Sequence, residues 1–166
     1  MKIIFRLVLL AIILAAGVWL WTWLFPSPEK IIRQRLAEIA RLASFNANEN
    51  PLAALGRAQK LAGFCRPDLH VRLAAPANIE HTFESREEIV QASLAARATF
   101  GGALQVDFVD VLVTLAPDKQ SAVADLTARI QSGGSNEVNP QEIKFTLQKV
   151  DGQWHVTRVE TIRTFS

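Results

Sequence analysis

Leu147-Gln148-Lys149-Val150-Asp151-Gly152-Gln153-Trp154-His155-Val156 is the stretch whose reading decides the fold. Two strand-like runs meet at Asp151-Gly152, a pair that accepts the positive φ required by a two-residue hairpin turn. Working back from it, the chain from Leu104 to Phe165 reads as four consecutive strands, 104–115, 122–131, 142–150 and 154–164. Each is rich in Val, Ile, Leu, Phe or Thr. The other two joints are Ala116-Pro117-Asp118 and Ser132-Gly133-Gly134-Ser135-Asn136, both turn signals. Strands joined in this way form an antiparallel meander. In the first, Leu104, Val106 and Phe108 give way to Val109, Val111, Val113 and Leu115; in the last, Trp154 and Val156 give way to Val159 and Ile162. A phase change inside a strand is the mark of a β-bulge, and bulges curve a sheet.

Three helical patterns precede the meander and would cover its hollow side. Residues 29–44 place Ile32, Leu36, Ile39 and Ala43 on one line. Asn50 caps a second helix, with Pro51 at its first position and Leu55, Ala58, Leu61 and Ala62 on its buried face. Ser85-Arg86-Glu87-Glu88 is a capping box for a third helix, carrying Ile89, Ser93, Ala96 and Phe100 on one line. Between the last two, residues 69–73 and 79–83 alternate as short strands. The expected fold class is therefore α+β: three helices packed on a strongly curved antiparallel sheet of four long strands plus one or two short ones.

The order of elements resembles the nuclear transport factor 2-like superfamily, the cone-shaped α+β fold shared with ketosteroid isomerases, limonene epoxide hydrolases and polyketide cyclases. The resemblance is carried by Phe83-Glu84-Ser85-Arg86-Glu87-Glu88-Ile89, by Gln120-Ser121-Ala122-Val123-Ala124 and by the 147–156 hairpin. It covers residues 29–165 and implies a fold, since none of these residues is catalytic in that superfamily.

Ahead of this domain, residues 7–25 contain no charge and approach the roughly 20 residues needed to cross a bilayer. Lys2 and Arg6 precede them, and Trp19, Trp21 and Trp23 crowd the far end as expected at a membrane interface. Ala15-Ala16-Gly17 also suits signal-peptide cleavage, but cutting there would leave an apolar N-terminus exposed. The expectation is an N-terminal transmembrane helix at 1–25, a linker at 26–28 and a domain at 29–166. That makes a single-pass inner-membrane protein with its domain on the periplasmic side, and the bilayer as a partner through residues 7–25.

Composition narrows the function. Residues 26–72 hold eight Lys or Arg against four Asp or Glu, and residues 73–166 hold eight against twelve. No basic run is interleaved with aromatics, so a nucleic-acid partner is not expected. The chain has no Tyr, which removes the phenolic oxyanion donor of ketosteroid-isomerase-like sites. Asp107 or Asp110 would supply the isomerase base only by facing the cone; Asp107, Asp125 and Arg129 match the Asp–Arg–Asp types of epoxide-hydrolase-like sites, but their spacing does not force convergence. The three His are dispersed and Cys65 has no His placed as a base, so no metal, cofactor or catalytic set is expected.

Leu126, Ile130, Phe145, Leu147 and Trp154 would line the cone interior, as pocket or as core. Asp107, Asp110, Asp125 and Arg129 are the polar pocket or interface candidates. The outer face, read as Val111, Val113, Thr127, Arg129, Thr146, Gln148 and Thr157, suits a homodimer or a membrane-protein partner. The reading is a non-catalytic interaction or scaffold module, within an envelope complex, with an anchored small-molecule binder or enzyme as the alternative.

Overall fold

The computed structural model describes residues 12–17, 27–73, 79–99, 102–133 and 138–162. The chain divides into two units, Met1–Ile31 and Ile32–Ser166, and the second carries the sheet. The elements are α1 (Pro28–Ala43), α2 (Pro51–Gly63), β1 (Cys65–Leu73), β2 (Ile79–Thr82), α3 (Arg86–Thr99), β3 (Leu104–Leu115), β4 (Ser121–Ser132), β5 (Asn139–Val150) and β6 (Gln153–Thr161). The architecture is α+β with a curved six-stranded sheet in the order β2-β1-β6-β5-β4-β3.

Local chemistry accounts for the joints. Asp151 (φ 50°) and Gly152 (φ 79°) both take the left-handed conformation in the β5–β6 turn. Asn50 accepts the Leu52 amide at 2.9 Å to start α2, and the Ser85 hydroxyl accepts the Glu88 amide at 3.2 Å to start α3. The Glu88 carboxylate reaches the amide of Glu84 (2.8 Å), one residue earlier than the capping box predicts.

Both bulges are present. In β3 the register shifts between Val109 and Leu112, where Asp110 takes φ 53°. In β6 it shifts opposite Thr146/Leu147, leaving Thr157 as the extra residue. Its hydroxyl donates to the Thr146 carbonyl at 3.2 Å.

Among the described residues the hollow face is packed with apolar side chains. Every second residue of β4 (Ala122, Ala124, Leu126 and Ala128) is buried, as are Ile143, Phe145 and Leu147 of β5 and Trp154 and Val156 of β6. Ile32 and Leu36 of α1 are fully buried above them. Two arginines fix α1 from either flank of its apolar stripe. Arg33 donates to the Val111 carbonyl, which the β3 bulge leaves without a strand partner. Arg35 donates to the Trp154 carbonyl at 2.5 Å and stacks over the Phe64 ring at 5.1 Å. The edge strand β3 is also covered from the end of α1. Phe45 exchanges backbone hydrogen bonds with Leu104, and the Ser44 hydroxyl accepts the Val106 amide at 3.0 Å.

Three expectations need correction. The sheet is mixed rather than antiparallel: β1 pairs antiparallel with β2 but parallel with β6, through Cys65–Val156 and His70–Arg158. Strand periodicity reports which face a residue occupies and carries no information on the direction of its neighbour. Second, Val113 and Leu115 lie opposite the buried Ala124 and Ala122, so they face inward. The two-against-one count at the bulge turns Leu112 and Thr114 outward in their place.

Third, the transmembrane helix and the single-pass membrane location are overturned: among the described residues no helix is long and apolar enough to cross a membrane. Of the 7–25 stretch the structure describes only 12–17, which are helical. The rest of that stretch, with Trp19, Trp21 and Trp23, lies outside the described residues.

Burial of Leu36 without residual exposure makes it a sensitive reporter of this packing. Leu36→Ala is expected to cost about 2–5 kcal/mol, read as a lower midpoint in urea unfolding at unchanged m-value.

Candidate functional site

Leu126, Phe145, Leu147 and Trp154 are buried on the concave side, Trp154 with 1% of its surface accessible, and Ile130 is half-buried near the end of β4. Phe108 meets Phe145 there, with ring centroids 5.5 Å apart. Among the described residues no polar or charged residue is buried.

The polar candidates lie elsewhere. Asp107 and Arg129 are exposed and directly opposite one another on β3 and β4, with Asp107 also held by the Gln105 side-chain amide at 3.3 Å. Asp125 is paired with Lys144 of β5 at 3.8 Å, both side chains being about two-fifths exposed. Asp110 sits exposed at the bulge. Strand alternation puts Asp107, Asp125 and Arg129 on the outer face, because the residues on either side of Asp125 and the Val106 preceding Asp107 are buried. The structure brings Asp107 and Arg129 together and keeps both away from the interior. Among the described residues no group of three or more His, Cys, Asp or Glu could hold a metal ion.

Sequence reasoning missed two arrangements. The first is a charge triad at the start of α2: Glu49 pairs with Arg57 at 2.8 Å and with Arg97 of α3. Arg97 also lies 4.9 Å over the Phe45 ring and donates to the Leu42 carbonyl. Only 13% of each of the Glu49 and Arg97 side chains is exposed, so the pair gains from a lowered dielectric while tying the α1–α2 loop to α3. Glu49 lies in the polar break between helices, where a sequence shows no reason for burial.

The second arrangement is a basic corner where α2 runs into β1. His155 follows Trp154 on β6, and Arg35, Arg66 and Arg86 converge on it from α1, β1 and α3. Arg66 is engaged by Asp68 at 2.9 Å and Gln148 at 3.3 Å. Burial pulls the His155 imidazole below its usual range. The charges of Arg35, Arg86 and Arg66 add to this, and a hydrogen bond to the Gly63 backbone works against it.

Cys65 lies beside this corner, buried, and its thiol is pushed up to about 12 by desolvation despite the Arg86 charge. Surface clefts flank the helices among the described residues. One of about 430 Å³ lies between α1 and β3, one of about 450 Å³ between α2 and α3, and one of about 300 Å³ around the Glu49 triad.

Two outcomes follow from these environments. At pH 8 a thiol titrating near 12 is ionised to about one part in ten thousand, so Cys65 should resist a disulfide reagent until denaturant is added. A histidine whose folded pKa is depressed supports full stability above its unfolded value near 6.5 and loses it as pH falls through the folded value. Stability should therefore drop on acidification below about 6.5, and His155→Gln should remove that component from a pH series of unfolding midpoints.

Comparison with known proteins adds the fold. No family model matches the chain, and no curated protein matches it. Among solved structures, it is similar to a domain of unknown function with a cystatin-like fold from Nostoc punctiforme. That pair has TM-score 0.62 and 15% identity, covering 86% of this chain and 80% of the other. It is also similar to a candidate scytalone dehydratase from Novosphingobium aromaticivorans (TM-score 0.59, 16% identity, 82% and 84% covered). A third is a nuclear transport factor 2-like protein of unknown function from Pseudomonas putida (TM-score 0.60, 14% identity, 81% and 85% covered). At these identities the likeness concerns the backbone alone, and the chain has the nuclear transport factor 2-like, cystatin-like fold.

Proposed function

We propose that the chain is a non-catalytic interaction module of the nuclear transport factor 2-like type, working through the outer face of its sheet with a second copy of itself as partner. The observation that carries this is the filled interior. Trp154, Leu147, Val156, Ile32 and Leu36 occupy the hollow where an enzyme of this shape would need its base and its substrate. No polar or charged side chain is buried beside them among the described residues, so the tuned titratable groups on which such chemistry depends are not supplied there. The candidate scytalone dehydratase shares the backbone with this chain, and nothing about its substrate carries over at 16% identity.

The outer face has the make-up of a surface meant to be covered. Leu112 is 61% exposed between Val109 and Thr114, with Val123, Thr127 and Thr146 on the neighbouring strands. Around this centre lie the Asp107–Arg129 and Asp125–Lys144 juxtapositions, which give opposite charges to a face packed against its own copy.

Light scattering of the full chain over a range of concentrations tests the reading. A dimer is expected, converted to monomer by Leu112→Asp and weakened by Arg129→Glu at unchanged circular dichroism. A monomer at all concentrations, or a dimer indifferent to both substitutions, would overturn it.

A further inference from the structure

The apolar groove between α2 and α3 lies outside the sheet and outside the interface proposed above. It has a volume of about 450 Å³, within the roughly 300–1,000 Å³ typical of small-molecule sites. Leu55, Ala62, Val90 and Leu94 give its apolar walls, and Arg86, Glu87, Gln59 and Gln91 its polar points. The helix period makes this lining continuous. Leu55, Gln59 and Ala62 follow one line of α2, and Arg86, Val90 and Leu94 follow one line of α3. Leu52, 79% exposed, prolongs the α2 line beyond the groove.

Arg86 sets the polarity of one end. Of the three arginines at that corner, Arg35 is bound to the Trp154 carbonyl and Arg66 to Asp68 and Gln148. The Arg86 side chain has no hydrogen bond or ion pair among the described residues. It stands in the first turn of α3, at the positive end of that helix's dipole. Glu87 lines the same end, so a ligand bearing several negative charges would be repelled while one carboxylate can still reach the guanidinium.

We infer that the α2–α3 groove binds a small amphipathic monocarboxylate, its head on Arg86 and its apolar body along Leu55, Ala62, Val90 and Leu94. The charge of Arg86 selects the acid over neutral molecules of the same shape. The groove walls select an apolar chain over short acids such as acetate. No bond is made or broken in this role, so the site adds a ligand to an interaction module without requiring catalysis.

The test is methyl-resolved NMR of the full chain titrated with decanoate, decanol and acetate, all below micelle-forming concentrations. Shifts at the Leu55, Val90 and Leu94 methyls are expected with decanoate, about tenfold weaker with decanol, and absent with acetate. Arg86→Gln, a substitution at an exposed residue, should weaken decanoate about tenfold and leave decanol unchanged. Equal response to decanoate and decanol would overturn the inference, as would an Arg86→Gln protein that binds decanoate normally. Saturation of the same methyls by an amphipathic helical peptide, with no response to decanoate, would also overturn it and assign the groove to a protein partner. The dimer test above is unaffected by any of these outcomes, because it reads a different set of residues through Leu112.

Discussion

The seating of Ile32 and Leu36 in the hollow of the sheet is the constraint on which the remaining structure depends. A curved sheet has a concave face too deep for strand residues alone to fill, and an uncovered apolar hollow of this kind would be wetted. Burying each of these side chains contributes about 1.5–3 kcal/mol. The helix is held in place by two guanidiniums, each ending on a backbone carbonyl: Arg33 stays exposed, and Arg35 is partly buried, its loss of hydration offset by the bond to Trp154. Arg33 uses the carbonyl released by the β3 bulge, so the irregularity that bends the sheet also supplies the point to which its cover is attached.

Much of this was legible in the chain. The four long strands begin and end within three residues of the expected bounds, because Asp151-Gly152, Pro117-Asp118 and the Gly133-Gly134 region are strong turn chemistry. Both bulges were visible as phase slips among Val109–Leu115 and Trp154–Ile162. Less accessible was the face each residue takes after a slip, since that depends on how many residues the bulge absorbs. One residue more or less exchanges Val113 for Leu112 on the outer surface.

The parallel β1–β6 pairing was illegible for a different reason. β1 begins at Cys65 and runs through Arg66-Pro67-Asp68, a segment whose composition reads as a turn. That segment interrupts the ladder: β1 meets β6 at Cys65–Val156 and pairs with it again only from His70 opposite Arg158. Arg33 and Arg35 lie off the apolar line of α1, and only the sheet beneath them reveals their hydrogen bonds. The α2–α3 groove could not have been inferred from either helix, because a concavity belongs to the pair.

The long sequence separations in this design govern how the molecule comes together. Arg33 and Val111 are 78 residues apart, and Arg35 and Trp154 are 119 apart. β1 finds its parallel neighbour only in the final strand. During synthesis α1 emerges ahead of the whole sheet, yet the surface it is built to cover does not exist until β6 has left the ribosome. Such non-local closure slows folding and leaves an apolar helix face waiting in the meantime. The price of a helix that locks the sheet from both flanks is a chain that has to be nearly complete before that helix has anywhere to go.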